Sequence, residues 1–155
     1  MTNEIPKEWN VYRSWLDDDP AVFRLNLALN EVAPIEGFSY CVKITVVLKD
    51  PDKNGFSSDE ERPTIYAIED KIFRPLESDK DILVAVLTAR GEVTWYFYSK
   101  APEALQERLS ATWDSEFGYT YQVECSEDKP WNFFLKGLYP NIYEKQTIYN
   151  REILS

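Results

Sequence analysis

The chain has 155 residues, 44% of them hydrophobic and 28% charged, which is globular usage at the length of one domain and excludes a disordered tail or a collagen-like repeat. Its 17 basic and 27 acidic residues leave a net charge of −10, so attraction to phosphate is missing, nucleic acid is not an expected partner, and a protein with a basic surface fits better. Histidine is absent, which removes Ser-His and Cys-His nucleophile pairs, the imidazole base and the commonest transition-metal ligand.

Cys41 and Cys125, the two cysteines, sit in strand-like runs without C-x-x-C spacing and are expected as buried free thiols. Met1 to Lys7 lacks the apolar centre of a signal peptide, so the expected compartment is the cytoplasm. The longest apolar stretch, around Ile82 to Leu87, falls far short of the ~18 residues of a membrane span.

In chain order, Trp9 to Trp15 and the alternating run from Ala21 to Leu29 predict a hairpin around Asp17-Asp18-Asp19-Pro20. Tyr40 to Leu48 alternates as a strand that stops at Asp50-Pro51-Asp52-Lys53-Asn54-Gly55. Ser58 with Glu61 makes a capping-box pattern, and Ile65, Ile68, Ile72 and Leu76 share one helical face, with distortion expected near Pro63 and an end or kink near Pro75. Residues 81 to 89, apolar on both faces, and the aromatic run 92 to 99 predict a tight hairpin at Gly91. Ser99 caps a predicted helix bearing Leu105, Leu109 and Trp113, Gly118 ends the connection, and a last strand covers 119 to 126. A short helix with Trp131, Phe134, Leu135 and Leu138 follows, then a weaker one over Ile142 to Leu154.

From Tyr40 onward the order is that of a ferredoxin-like βαββαβ sandwich with an N-terminal hairpin and C-terminal helices, one α+β domain over 1–155 with the strands at 40 to 48 and 92 to 99 central. Ile44, Val46, Ile68, Ile72, Val84, Val86, Trp95, Phe97, Leu105, Leu109 and Val123 are the expected core.

Two acidic arrangements invite a metal reading. Asp17, Asp18 and Asp19 form an ordinary turn, where consecutive aspartates rarely converge on one point. Asp50, Asp52, Asn54 and Glu61 match an EF-hand loop at its first, third, fifth and twelfth places, with Gly55 at the sixth, but leave a strand rather than a helix and carry Pro51 second. Tyr96 and Tyr98, beside Lys43 and Thr45, can form a base-stacking face, yet no basic rim accompanies them and a packed role is expected. No cofactor and no catalytic residue are expected. Glu60, Glu61, Glu69 and Asp70 read as a solvated helix face.

Several blocks carry a resemblance: Trp9-x-x-Tyr12, Phe23-Arg24-Leu25-Asn26-Leu27 with Ala33-Pro34, Leu48-Lys49-Asp50-Pro51-x-x-Asn54-Gly55-Phe56-Ser57 with Glu60-Glu61, Ile68-Glu69-Asp70, and Lys129-Pro130-Trp131-x-x-Phe134-x-x-x-Leu138-Tyr139-Pro140. Together they resemble the bacterial domain-of-unknown-function family numbered six hundred and ninety-five over nearly the whole chain. That resemblance implies no known activity or catalytic residue. Some members of the family continue into a domain similar to the type B regulator of ribonuclease E activity, a small acidic protein that acts by binding another protein. The leading expectation is a non-enzymatic protein-binding or regulatory domain docking on a basic partner, with Asp17, Asp18, Asp19, Glu60, Glu61, Glu69 and Asp70 as candidate contacts. The alternative is a metal-dependent hydrolase or ligand-binding domain using the Asp50 to Glu61 loop.

Overall fold

The computed structural model describes residues 5–138. Strands β1 (Trp9–Leu16) and β2 (Asp19–Asn26) form the N-terminal hairpin, turning at Asp17 and Asp18 with Asp17 at φ 54°. β3 (Tyr40–Val47) leads to a helix made of α1 (Arg62–Ile68), a π-helical turn (Glu69–Phe73) and α2 (Arg74–Leu76). β4 (Asp81–Ala89) and β5 (Glu92–Ser99) are the second hairpin, followed by α3 (Pro102–Thr112), β6 (Gln122–Glu127) and a π-helical segment (Phe133–Leu138). The expected helix over Ile142 to Leu154 lies outside the described residues.

The protein is α+β, and the described residues form one six-stranded sheet in the order β1-β2-β4-β5-β3-β6 with every pairing among them antiparallel. This order is not that of a plain four-stranded βαββαβ sheet, because β2 pairs along β4 and extends it. β4 and β5 therefore hold the middle and β3 lies second from the edge, which displaces the expected centre. The reason lies in β4: with seven of its nine residues buried it has no solvent face, and an added hairpin shields the edge it would otherwise expose.

β4 is apolar on both faces for a second reason, a bulge between Leu83 and Ala85. The extra residue, Val84, breaks the two-residue alternation, so Ile82, Val84 and Ala85 face one side while Leu83 and Val86 face the other. Val84 and Val86 are both buried as expected, but in different cores. One core packs the helices against Val42, Ile44, Val46, Trp95 and Phe97; the other packs Trp131, Phe134 and Leu138 against Cys41, Tyr96 and Tyr98. The expected core residues are buried except Val123, half-buried on edge strand β6.

Local chemistry explains the helix. Ser58 Oγ accepts the Glu61 amide at 3.2 Å, one half of the expected capping box; the Glu61 carboxylate does not reach back but accepts the Lys49 and Asp50 amides, and Pro63 occupies the first turn, where its missing N–H has no intrahelical partner. Of the end or kink expected near Pro75 the structure has the end, one residue later, preceded by a π-helical turn. Widening the helix over Glu69–Phe73 relieves the clash of the Pro75 ring with the carbonyl four residues back, and the helix ends at Leu76. Two further boundaries shift: Leu27–Glu31 is a 3₁₀ turn rather than strand, and β6 starts at Gln122 rather than 119.

Candidate binding site

The predicted acidic contacts separate into solvent-facing and interior groups. Asp17 and Asp19 lie at the β1–β2 tip and both pair with Arg90, at 3.2 and 2.8 Å, pinning one hairpin turn to the other; Asp18 is exposed between them. Glu60 is exposed, and Asp70 faces solvent while pairing with Arg74 at 3.2 Å. Glu61 and Glu69 are buried, 6% and 4% exposed, and so are not part of a solvated face. The correction has one cause: each carboxylate has strong donors waiting in the interior.

Glu61 accepts the backbone amides of Lys49 at 2.6 Å and Asp50 at 2.9 Å and the hydroxyl of Tyr119, joining the end of β3, the helix start and the segment before β6. Burial alone would raise its carboxyl, but the Tyr119 and backbone hydrogen bonds outweigh burial and hold it below the usual range. The rest of the calcium-like loop is equally engaged. Asp50 accepts from the Ser58 hydroxyl at 3.2 Å, and Asp52 Oδ1 accepts the amides of Asn54 and Phe56 at 2.8 and 3.0 Å. The four candidate ligands are thus not brought to one point, and among the described residues no group of three or more such side chains could hold a metal ion. Gly55, at φ 84°, serves a different purpose: an added Cβ would stand 2.9 Å from the Arg90 backbone nitrogen, and the Gly55 carbonyl accepts the Gly91 amide at 2.9 Å.

Tyr96 and Tyr98 are packed, as expected. Tyr98 stacks on Trp131 with centroids 4.0 Å apart and Tyr96 meets Phe133 at 5.0 Å, so neither presents a base-stacking face. Cys41 is buried, its thiol pushed up to about 12 chiefly by burial, whereas Cys125 is exposed, contrary to the expectation of two buried thiols. Val42, not Cys41, pairs with Cys125, which puts the two thiols on opposite faces of adjacent strands.

The most developed polar centre was not legible in the sequence. Arg24, on β2, donates to both oxygens of Glu69 in a bidentate pair, one contact at 3.0 Å. Trp95 Nε1–H, from the opposite side, donates to Glu69 Oε1 at 2.9 Å while its ring stacks on Phe73 with centroids 4.0 Å apart. Arg74 stands 3.7 Å from Oε2. Burial works to raise the Glu69 carboxyl; the Arg24 hydrogen bonds and charge, then Trp95 and Arg74, outweigh it and hold Glu69 below the ordinary carboxylate range. A carboxylate whose oxygens are taken up by Arg24 and Trp95 offers little to accept a further proton, and it fixes the Arg24 guanidinium. The pair lines a pocket of about 510 Å³ between the N-terminal hairpin and the π-helical turn. A second buried centre has Asp81 accepting from Ser78 at 2.8 Å, from Ser99 at 2.6 Å and from Arg108, tying β4 to the end of β5 and to α3. The one available signal for these centres was a charged residue inside an apolar run: Arg24 between Phe23 and Leu25, and Asp81 at the head of β4.

No helix among the described residues is long and apolar enough to cross a membrane. No curated protein and no solved structure matches the chain. The family model DUF695, described as a family of unknown function, matches residues 7–139, and its span takes in both hairpins, the Arg24–Glu69 pair and Trp131. The chain belongs to the DUF695 family.

Proposed function

We propose that the chain is a non-enzymatic protein-binding domain that docks on a basic partner surface through the free edge of β6. The observation that carries this reading is the composition of that edge. Among the described residues β6 pairs with β3 alone, five of its six residues are exposed, and it bears Glu124 and Glu127, while Glu103 of α3 is close enough to raise the Cys125 thiol after burial has done so. An open strand offers a row of backbone donors and acceptors to an added strand, and carboxylates on it select a cationic one.

Charge distribution supports the same reading. Of the six arginines in the described residues, Arg24, Arg62, Arg74, Arg90 and Arg108 are all engaged in ion pairs within the fold. The acidic excess is therefore carried outward. Exposed Asp18 and Glu60 contribute to the long-range field, Asp17, Asp19 and Asp70 are exposed but paired with Arg90 and Arg74, and Glu61 and Glu69 do not belong to the docking set. The sheet also supports a ferredoxin-like reading of its core: β4-β5-β3-β6 in space, with α1 and α3 as the two crossovers and β1–β2 as an added hairpin. The metal-dependent alternative is disfavoured by the loop in which Asp52 and Glu61 already accept backbone amides.

The test is capture from a bacterial lysate by immobilised protein at low and high salt, repeated with Glu124→Lys/Glu127→Lys and with Asp50→Ala. Capture that falls with salt and is lost on charge reversal at β6 is the expected result. Capture indifferent to both, or a melting temperature raised by millimolar calcium in the parent but not in Asp50→Ala, overturns the reading in favour of an apolar interface or the metal alternative.

A further inference from the structure

At the opposite edge of the sheet the chemistry is reversed, and we infer that the pocket between the β1–β2 hairpin and the π-helical turn binds a small aromatic carboxylate, its ring against Trp9 and Val11 and its carboxylate toward Arg24 and Arg74. This site is independent of docking at β6.

Three observations converge. The pocket's volume, about 510 Å³, is that of a cleft for a small organic ligand and far more than an ion needs. Its walls are mostly apolar: Leu83 and Val86 form buried sheet surface, while Trp9 and Val11 remain 39% and 64% exposed on an edge strand, an arrangement that leaves a large apolar surface facing water. Its lining residues carry more cations than anions, although the chain as a whole is acidic, with Asp70 pairing Arg74 from outside the lining. Lys7, Arg24 and Arg74 line it against Glu69 and Glu77. Glu69 cancels Arg24 but takes only two of the five N–H groups of that guanidinium. Burial raises Glu77 toward its neutral form, offset in part by Lys7.

A bare phosphate or acetate would satisfy the cations and leave Trp9 and Val11 in water; a neutral hydrocarbon would do the reverse. A flat ring carrying one carboxylate satisfies both. A purely structural role for Arg24 and Glu69, tying β2 to the helix, accounts for the ion pair but not for the open pocket beside it or the exposed apolar wall.

The test is an NMR titration of 15N-labelled protein with indole-3-acetate, following the tryptophan indole N–H signals, with indole-3-acetamide and acetate as comparison probes. Trp9 lines the pocket and Trp95 donates to Glu69 behind it, whereas Trp131 donates to the Phe38 carbonyl on the other sheet face. The expected result is saturable shifts at Trp9 and Trp95 with Trp131 unmoved, and at least about tenfold weaker binding of the amide and of acetate, the loss of one charge-assisted contact or of the ring. Arg74→Ala should weaken binding about tenfold on the same grounds. Val11→Glu, which puts a carboxylate opposite Arg24 in the strand register, should abolish it while the unmoved Trp131 signal reports an intact fold. No shift at Trp9 and Trp95 up to millimolar probe, equal binding of the amide, or indifference to Val11→Glu in a folded variant overturns the inference, and none of these results bears on capture through β6.

Discussion

Arg24 and Glu69 stand 45 positions apart in the chain and close a two-point ion pair that fastens the N-terminal hairpin to the only wide turn of the first helix. The carboxylate is almost fully enclosed, while the guanidinium keeps about a third of its side chain in contact with solvent. Such a pair is asymmetric. Loss of the cation strands an interior charge, whereas loss of the anion leaves a cation that still reaches water.

Replacing either partner therefore has unequal effects. Arg24→Met should destabilise by about 3 kcal/mol, and Glu69→Gln, which retains an acceptor for Trp95, by about half as much. Urea unfolding of both variants checks the order, and a larger loss for Glu69→Gln would show that the carboxylate, not its enclosure, dominates.

Glu61 and Glu69 are both held below their ordinary range in the folded protein. Their stabilisation is fully present above the unfolded glutamate value of about 4.3 and is lost as pH falls through the lower folded values. Glu77, raised by burial, acts oppositely, its contribution being present at low pH and lost as pH rises. With two groups against one, stability should fall below about pH 4.3, and Glu61→Gln/Glu69→Gln should flatten that acid limb in a pH series of melting curves.

Gly55→Ala should destabilise by about 2 kcal/mol, because the residue combines φ 84° with a Cβ position 2.9 Å from the Arg90 backbone nitrogen. Gly91→Ala shares the positive φ, at 77°, but its Cβ would meet nothing nearer than the Pro51 ring at 3.7 Å, and should be milder. Thermal unfolding of the two variants compares strain alone with strain plus a backbone clash.

Ile44→Ala, at a position with no exposure, should remove about 2–5 kcal/mol, and Val123→Ala, half-buried on the edge, less than about 1. Equal losses in denaturant titration would mean that β6 is sealed by something packed over it.

Native protein should yield one accessible thiol to a maleimide and a second only on unfolding. Cys125 is exposed, whereas the Cys41 thiol is buried with its proton retained up to about 12. Peptide mapping of the modified site distinguishes them.

Much of the architecture was legible because it is local. The alternation in 40 to 48 and 92 to 99 and the continuous apolar run in 81 to 89, bounded by a tight turn, mark strands, and the structure has β3, β4 and β5 over those ranges to within one residue. Ser58 three residues before Glu61 marks a helix start, and the tyrosines at 96 and 98 were expected to be covered, as they are. Family membership was equally readable: the resemblance read from the sequence and the family model agree over residues 7–139.

What only the tertiary structure decided is every relation between distant segments. Glu61 and Glu69 look like neighbours of solvated Glu60 and Asp70 in a one-dimensional charge pattern, yet the Lys49 and Asp50 amides, Tyr119, Arg24 and Trp95 draw them inward. The two-face burial of β4 disguises a bulge at Val84, because an all-apolar run contains no period to break. Where the N-terminal hairpin pairs, and hence which strand ends each edge, depends on β2 meeting β4 across more than fifty residues, and no local propensity records it. A side chain's period fixes which way it points relative to its neighbours, but the partners it meets there are supplied by chain closure, which the sequence encodes only in sum.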